Sequence, residues 1–319
     1  MKATRIRPGS VIATLAVLFL LSGQMATPAN AQAVAASSPT TTAMGPIKFM
    51  ATKLTSVRPL VSAQSAIPGP LINHHQGAGL SAQNEPVVYV VYWGWTSDPY
   101  GEQAYLESFL SSVGGTPWLN TVVQYSYAGY MIDAGGSASV PSLFVYSYSD
   151  PSPIPDQPTD AQIQSEVSAF VTAAGLTTDD GGGLSPNVEI VIATPTGHST
   201  AGFGVGYCAY HSYTLVAAGA YVSYTNLPYI PDAGGACGAN AVNGPLDGVS
   251  IIEGHELAES LTDPFLDSWY DASGNEIGDK CAWTNLADIT TAYGTFAVQP
   301  LWSNHANGCV LSTVPTVLP

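Results

Sequence analysis

Positive charge is scarce in this sequence. Only seven of the 319 residues are Lys or Arg, against 23 Asp or Glu, which gives a net charge of −16 at pH 7. Every acidic residue lies between Glu85 and Asp288, and Lys280 is the one Lys or Arg in that interval. So acidic a chain repels phosphate backbones and anionic lipid, which excludes nucleic-acid binding and attachment to anionic membranes as functions.

Charged residues of both signs are also few. They make up 9% of the chain, whereas hydrophobic residues make up 46% and the mean hydropathy is +0.17. A disordered chain has the opposite balance, so we expect a folded domain with a sizeable core. The 32 Gly and 24 Pro residues predict many turns and few long helices.

Long hydrophobic runs are absent except near the N-terminus. Residues 11–21 are apolar, but this run is too short to span a bilayer comfortably. Lys2, Arg5 and Arg7 precede it, and the small-residue stretch 29–31 follows it. This pattern predicts a secretory signal peptide over residues 1–31, and hence an exported protein with no membrane anchor in its mature form.

Cysteines are few but even in number, which in an exported protein predicts two disulfides. The four are Cys208, Cys237, Cys281 and Cys309. Three pairings are open. We favour Cys208–Cys237 and Cys281–Cys309, because these pairs close the shortest loops.

The chain divides into three parts. Residues 32–83 follow the signal peptide, are rich in Ala, Ser, Thr and Pro, and lack any sustained apolar period. We interpret them as a linker or pro-segment, largely unpacked, in which His74 and His75 form an exposed pair. A single folded domain is predicted over residues 84–312, and its oligomeric state is left open.

Apolar periodicity within this domain predicts alternating strands and helices. We expect strands over 86–93, 140–148 and 187–193, helices over 101–113, 118–125 and 159–174, short β segments over 202–226, and a helix capped by Asp247 over 247–262. This order indicates an α/β (α+β mixed) domain built on a twisted mixed sheet, with a backing helix and a disulfide-bonded framework.

The last predicted helix carries the pattern H-E-x-x-E. His255 and Glu259 are four residues apart and project from one face of a helix, with Glu256 beside them. Zinc peptidases carry H-E-x-x-H, in which two His bind zinc and the Glu is the general base. Carboxylate oxygen also binds zinc, so we predict that His255 and Glu259 hold one divalent ion, with Glu256 as catalytic base. Zinc is the first choice, and manganese or calcium are harder alternatives.

A catalytic metal needs a third protein ligand and an open position for water. Glu276 is the first candidate, because residues 275–279 look like the distal Glu segment of thermolysin-like zinc enzymes. Asp279, Asp263 and His305 are alternatives, although Pro264 biases Asp263 away from helical geometry.

Several stretches together resemble one known family. They are residues 208–211 with Cys237, residues 247–265, Cys281, and residues 300–304 with Cys309. These resemble the phosphate-induced protein 1 family, whose plant members are called EXORDIUM. The resemblance implies export, disulfides and association with the cell wall, and it brings no catalytic activity. The plant members lack an intact His-Glu pair here, whereas bacterial-type relatives carry a segment like this one.

Two hypotheses about function follow. In the first, the protein is an exported metallohydrolase that cleaves peptides. Its domain would be zincin-like, with a backing helix over residues 159–174, an edge strand over 187–193 and a motif helix over 248–262. In the second, it is a non-catalytic extracellular protein of EXORDIUM type that binds a cell-wall polymer or polysaccharide.

Overall fold

The computed structural model describes residues 3–5, 48–51, 69–75, 83, 86–125, 143–176, 187–216 and 219–313. The predicted signal peptide, apart from residues 3–5, lies outside the described residues, as does its cleavage site. Among the described residues, no helix combines the length and the apolar character needed to cross a membrane.

Helices and strands alternate through the described part of the chain. The helices are α1 (Glu102–Val113), α2 (Asp160–Ala173) and α3 (Asp247–Thr262), with short 3₁₀ helices at Leu119–Tyr125, Ile230–Cys237 and Asp279–Cys281. The strands are β1 (Ala3–Arg5), β2 (Lys48–Ala51), β3 (Ile72–Asn73), β4 (Val87–Trp93), β5 (Phe144–Asp150), β6 (Val188–Ala193), β7 (Tyr207–Leu215), β8 (Tyr221–Leu227), β9 (Trp269–Tyr270), β10 (Ala287–Thr291), β11 (Gly294–Val298), β12 (Leu301–Ser303) and β13 (Gly308–Val310).

A seven-stranded mixed sheet organises the fold. Its strand order is β1-β5-β4-β6-β8-β7-β2. The four strands β5, β4, β6 and β8 are parallel, whereas β7 runs antiparallel to β8, and β1 and β2 pair antiparallel at the edges. Pairs β10–β11, β12–β13 and β3–β9 form three small antiparallel sheets. The expected mixed α/β architecture is therefore present.

Alternation along β4 explains why both faces of the sheet are covered. Val88, Val90 and Tyr92 pack into one apolar core, whereas Tyr89 and Val91 pack into another on the opposite face. The first core contains the apolar residues of α1 and α3, and the second contains those of α2. A strand that is apolar at every position is buried on both faces, so the fold has three layers.

Most predicted elements are confirmed at nearly the predicted bounds, including α1, α2, α3, β4 and β6. The helix expected over 118–125 is a 3₁₀ helix, and the strand expected over 140–148 is β5, which ends at Asp150. The expected cap at Asp247 is wrong. Asp247 is the first residue of α3, and its carboxylate accepts hydrogen bonds from the backbone of the preceding turn, at Val242, Asn243 and Gly244.

The expected unpacked linker contributes to the fold at two places. Strand β2 pairs with β7 at the edge of the main sheet, and Met50 is buried. Strand β3 pairs with β9. The next residue, His74, stacks on Tyr270 of β9, with the ring centroids 3.9 Å apart. His75 lies 3.1 Å from Asp267. The expectation is therefore corrected for residues 48–51 and 69–75, because paired backbone and stacked rings hold them.

Both predicted disulfides are confirmed. Cys208 on β7 is bonded to Cys237, and Cys281 is bonded to Cys309 on β13. The first bond ties β7 to the 3₁₀ helix that precedes α3, and the second ties residues 279–281 to β13. Disulfides are typical of oxidising compartments, so both bonds are compatible with an extracellular location.

Candidate metal centre

Helix α3 is enclosed by protein on every side. All of its residues are buried, including the three that carry the H-E-x-x-E pattern. Gly254 permits part of this packing, because a Cβ there would lie 3.0 Å from the Trp118 ring and 3.2 Å from the Phe109 ring. The carboxylates of α3 are therefore not a solvated helix face, and each needs a buried partner.

Three elements bring polar side chains together beside α3. Helix α3 supplies His255, Glu256 and Glu259, and strand β7 supplies His211. The segment before the last 3₁₀ helix supplies residues 276–279. This segment packs its backbone directly on the site, since a Cβ at Gly278 would lie 2.6 Å from His255 Nδ1.

One group of potential ligands consists of His255, Glu259 and Asp279, whose ligand atoms lie within 4.8 Å of one another. His255 Nε2 is 3.1 Å from Glu259 Oε1 and 3.8 Å from Asp279 Oδ1. The backbone N–H groups of Gly278 and Asp279 donate to Glu259 Oε1 at 3.2 and 2.9 Å and fix that carboxylate. The Asp279 side chain is 25% exposed, so this group reaches solvent.

A second group consists of His211, Glu256 and Glu259, also with ligand atoms within 4.8 Å. His211 Nδ1 is 3.2 Å from Glu256 Oε2 and 3.5 Å from Glu259 Oε2. On the other side of the ring, His211 Nε2 is 3.5 Å from Glu276 Oε1. All four side chains are almost completely buried.

The spacing within both groups suits a coordination shell. Metal–ligand bonds of about 2.0–2.2 Å place neighbouring ligand atoms roughly 3–4 Å apart. The separations of 3.1, 3.2, 3.5 and 3.8 Å around the two histidines fall in that range. Mixed imidazole and carboxylate ligands suit zinc and manganese.

Burial and neighbouring charges oppose each other in the pKa values of the site. Burial alone would lower the pKa of His255, but the Glu259 carboxylate raises it to about 10. Burial would also lower the pKa of His211, but the charge of Glu276 and the hydrogen bond with Glu256 bring it well above its ordinary value. Burial raises the pKa of Glu276 and Glu256, whereas the His255 charge lowers that of Glu259 despite its burial. The cluster thus favours positive charge, as protons on imidazole or as bound cations.

Gln299 contacts the far side of the His255 ring. Its amide nitrogen lies 3.1 Å from His255 Nδ1 and donates to the Gly278 carbonyl at 2.8 Å. In this arrangement Nδ1 accepts, and the proton of a neutral ring is on Nε2, which faces Glu259. A metal ion bound at Nε2 would leave the ring proton on Nδ1. The Gln299 amide would then have to present its oxygen to Nδ1 and give up its bond to the Gly278 carbonyl.

The structure distributes the predicted third-ligand candidates over different places. Asp279 joins the His255 group, whereas Glu276 lies against His211. The Asp263 carboxylate accepts backbone N–H groups from residues 267 and 268, and His305 is exposed and bonded through its backbone to Gln124. Glu276 therefore contacts the site, but not on the His255 side where its role was predicted.

His211 is the site residue that the sequence interpretation did not assign. It lies 44 residues before His255, within strand β7, where it faces α3 while its neighbour Tyr210 packs on the opposite face. The available signal was a single His in a strand that otherwise contains aromatic, small, hydroxyl and aliphatic residues. Such a residue points to one face of a buried sheet and needs a polar partner there.

No protein-family model, curated protein or solved structure matches the chain. The resemblance to the phosphate-induced protein 1 family and the zincin-like architecture therefore stay predictions.

Proposed function

We propose that this protein is an exported metal-dependent hydrolase whose catalytic ion is held by His255, Glu259 and Asp279. The observation that carries the proposal is the convergence of these three side chains at ligand spacing, with Asp279 partly exposed. Catalytic metal sites keep three protein ligands and an open position, and Asp279 is the ligand of this group that reaches solvent.

The proposed chemistry is cleavage of a peptide bond. A divalent ion acts as a Lewis acid and lowers the pKa of water. Glu256, the predicted base, would take a proton from water as its oxygen adds to the carbonyl carbon. When the carbon–nitrogen bond breaks, Glu256 would return that proton to the leaving amine.

Metal analysis of the purified protein, beside His255→Ala and Asp279→Asn, tests the ligand set. We expect zinc or manganese in the wild-type protein and loss of the ion from this group in both variants. Glu107→Gln on α1 is the matched control, because Glu107 belongs to neither group. Peptidase activity in the wild-type protein that chelator removes would support the hydrolase, and a wild-type protein without metal would contradict it.

Burial of the cluster favours a second candidate function, that of a metal-stabilised extracellular protein without catalysis. Among the described residues of both groups, only Asp279 reaches solvent. Structural metal sites are closed, and substrate access is not needed there. In this case the protein would bind a cell-wall polymer elsewhere on its surface, as the family resemblance implies.

Chelation distinguishes the two functions. If the ion is structural, its removal should lower the melting temperature strongly, and the metal-loaded protein should hydrolyse no peptide substrate. If the ion is catalytic, chelation should abolish turnover, and adding metal back should restore it. Retained binding of cell-wall polysaccharide by His255→Ala would favour the non-catalytic function.

A further inference from the structure

We propose that the site holds two divalent ions, and that Glu259 bridges them. The second ion would be bound by His211, Glu256 and Glu259. This inference rests on the proposed function for the first ion, at His255, and adds an ion that the sequence pattern did not predict.

The orientation of the Glu259 carboxylate is the main evidence that it bridges the two ions. Its Oε1 faces His255 Nε2 at 3.1 Å, and its Oε2 faces His211 Nδ1 at 3.5 Å. Each oxygen therefore belongs to a different ligand group, and each group contains its own histidine and its own second carboxylate. One carboxylate that serves two metal ions, one through each oxygen, has this arrangement.

Glu256 provides an independent observation. Its Oε2 lies 3.2 Å from His211 Nδ1, whereas its Oε1 is buried and has no hydrogen-bond partner among the described residues. A buried carboxylate oxygen without a partner carries a large desolvation cost. A cation held by both oxygens of Glu256, together with Glu259 and His211, would remove that cost.

The cluster contains more carboxylates than histidines, and no Lys or Arg side chain contacts it among the described residues. The two groups and the residue that contacts His211 contribute four carboxylates: Glu256, Glu259, Glu276 and Asp279. Lys280, the nearest Lys in sequence, is bonded instead to Asp271. Bound divalent ions would take the place of the imidazole protons as the positive charge beside these carboxylates.

Glu276 completes the second group in another role. It contacts His211 Nε2, the ring nitrogen that faces away from Glu256 and Glu259. Metal-bound histidines usually donate their other ring N–H to a carboxylate, which fixes the ring and strengthens the metal bond. Glu276 would therefore be a positioning residue for His211.

The inference changes the role of Glu256. As a ligand, Glu256 holds the second ion. As a general base, it would take a proton from the attacking water and would not be needed for metal binding. Replacing it by Gln keeps the shape of the side chain and removes the charge, so the number of bound ions in Glu256→Gln distinguishes the two roles.

The experiment is to count bound ions by equilibrium dialysis of the purified apoprotein against Mn²⁺, in salt that screens surface carboxylates. We expect two ions in the wild-type protein and one each in Glu256→Gln and Asp279→Asn. Glu253→Gln is the matched control. Glu253 is equally buried on α3 but belongs to neither group, so this variant should retain two ions. Circular dichroism checks that each variant is folded.

Electron paramagnetic resonance of the Mn²⁺-loaded protein adds a readout that folding alone does not change. Two bridged ions should give a spin-coupled spectrum, and Glu256→Gln should give the spectrum of an isolated ion. One wild-type ion that Glu256→Gln retains would overturn the second site and leave the proposed function intact. If the wild-type protein binds one ion, and this ion is lost in Glu256→Gln but kept in Asp279→Asn, the bridge and the proposed catalytic site are both overturned. A wild-type protein that binds no ion would overturn both as well.

Discussion

At the residue scale, Gly278 keeps open the space beside both ligand groups. Its φ of −80° is one that any residue adopts, so glycine is not required there for its conformational freedom. It is required for room, because a Cβ would lie 2.6 Å from His255 Nδ1 and 2.9 Å from Glu259 Oε1. The site therefore depends on a residue that has no side chain and contributes only its backbone groups.

We predict that Gly278→Ala loses the ion at Asp279 and is less stable by about 1–3 kcal/mol, the usual cost of an overpacked position. The added methyl group must push the segment that carries Asp279 away from α3. Metal analysis and urea unfolding measure the two effects. Gly244→Ala is the control, since a Cβ there meets open space. A Gly278→Ala protein with normal metal content would contradict this account of the site.

A second prediction at the residue scale concerns Glu166, far from the metal centre. Burial, and then the charge of Asp150, raise the pKa of Glu166 from 4.5 to about 8. Between those values the folded protein holds a proton on Glu166 that the unfolded chain releases. The free energy of unfolding should therefore fall as pH rises through this window.

Glu166→Gln should remove this dependence, so that the variant gains stability relative to the wild-type protein as pH rises towards about 8. Urea unfolding of both proteins across the window measures the difference. Asp156→Asn, at an exposed position in the preceding loop, should leave the wild-type slope unchanged. Parallel stability curves for Glu166→Gln and the wild-type protein would show that the buried carboxyl is not the cause.

At the element scale, the segment over residues 271–281 positions Glu276, Gly278 and Asp279. Its first turn is closed by the Asp271 carboxylate, which accepts backbone N–H groups from residues 273 and 275. Its end is held by Lys280, which lies 3.0 Å from Asp271 and 4.1 Å from the centre of the Trp302 ring. The one Lys of the acidic part of the chain thus has a structural role.

We predict that Lys280→Met destabilises the protein by about 3–5 kcal/mol, because it leaves the Asp271 charge buried without its cation. The double variant Lys280→Met/Asp271→Asn should recover a large part of that loss. Urea unfolding of the two single variants and the double variant gives the coupling energy. Additive effects would mean that the pair does not stabilise the segment.

The sequence predicts elements well where burial imposes a period. Strand β4 is apolar at every position and α2 carries apolar residues at helical spacing, so their type and bounds could be predicted. The segment over 271–281 has no period, because side chains and a disulfide hold it rather than a helix or sheet. That is why Glu276 and Asp279 could both be nominated as ligands, while their placement against different histidines could not be predicted.

The same reasoning applies to strand β7. Its pairing with β8, the next strand in sequence, and with β2, which is distant in sequence and pairs through an irregular register, decides which face His211 occupies. The H-E-x-x-E spacing predicted that His255 and Glu259 share a helix face, since four residues make about one helical turn. No local spacing connects His211 with α3, because that contact arises from packing between layers.

At the scale of the whole molecule, the disulfides fasten the elements that meet at the site. Cys208–Cys237 joins the strand of His211 to the approach to α3, and Cys281–Cys309 fixes the end of the segment over 271–281. The bonded cysteines are 29 residues apart in the first bond and 28 residues apart in the second, so each bond closes a short loop.

We predict that reduction of each bond lowers the free energy of unfolding by about 2–4 kcal/mol. Paired Cys→Ser variants separate the two contributions, and the Cys281–Cys309 pair should also weaken metal binding because it ends the segment of Asp279. Thermal melting with and without reductant is the measurement. An unchanged melting temperature under reductant would show that the bonds do not stabilise the fold.

The scarcity of cations has a consequence for digestion by proteases. Enzymes of trypsin type cut after Lys or Arg, and beyond Arg58 the chain offers them a single residue, Lys280. That side chain is buried beneath Trp302 and bonded to Asp271, so the folded protein withholds it. A molecule secreted among such enzymes would lose at most its first 58 residues to them, and the remainder would survive as one intact piece.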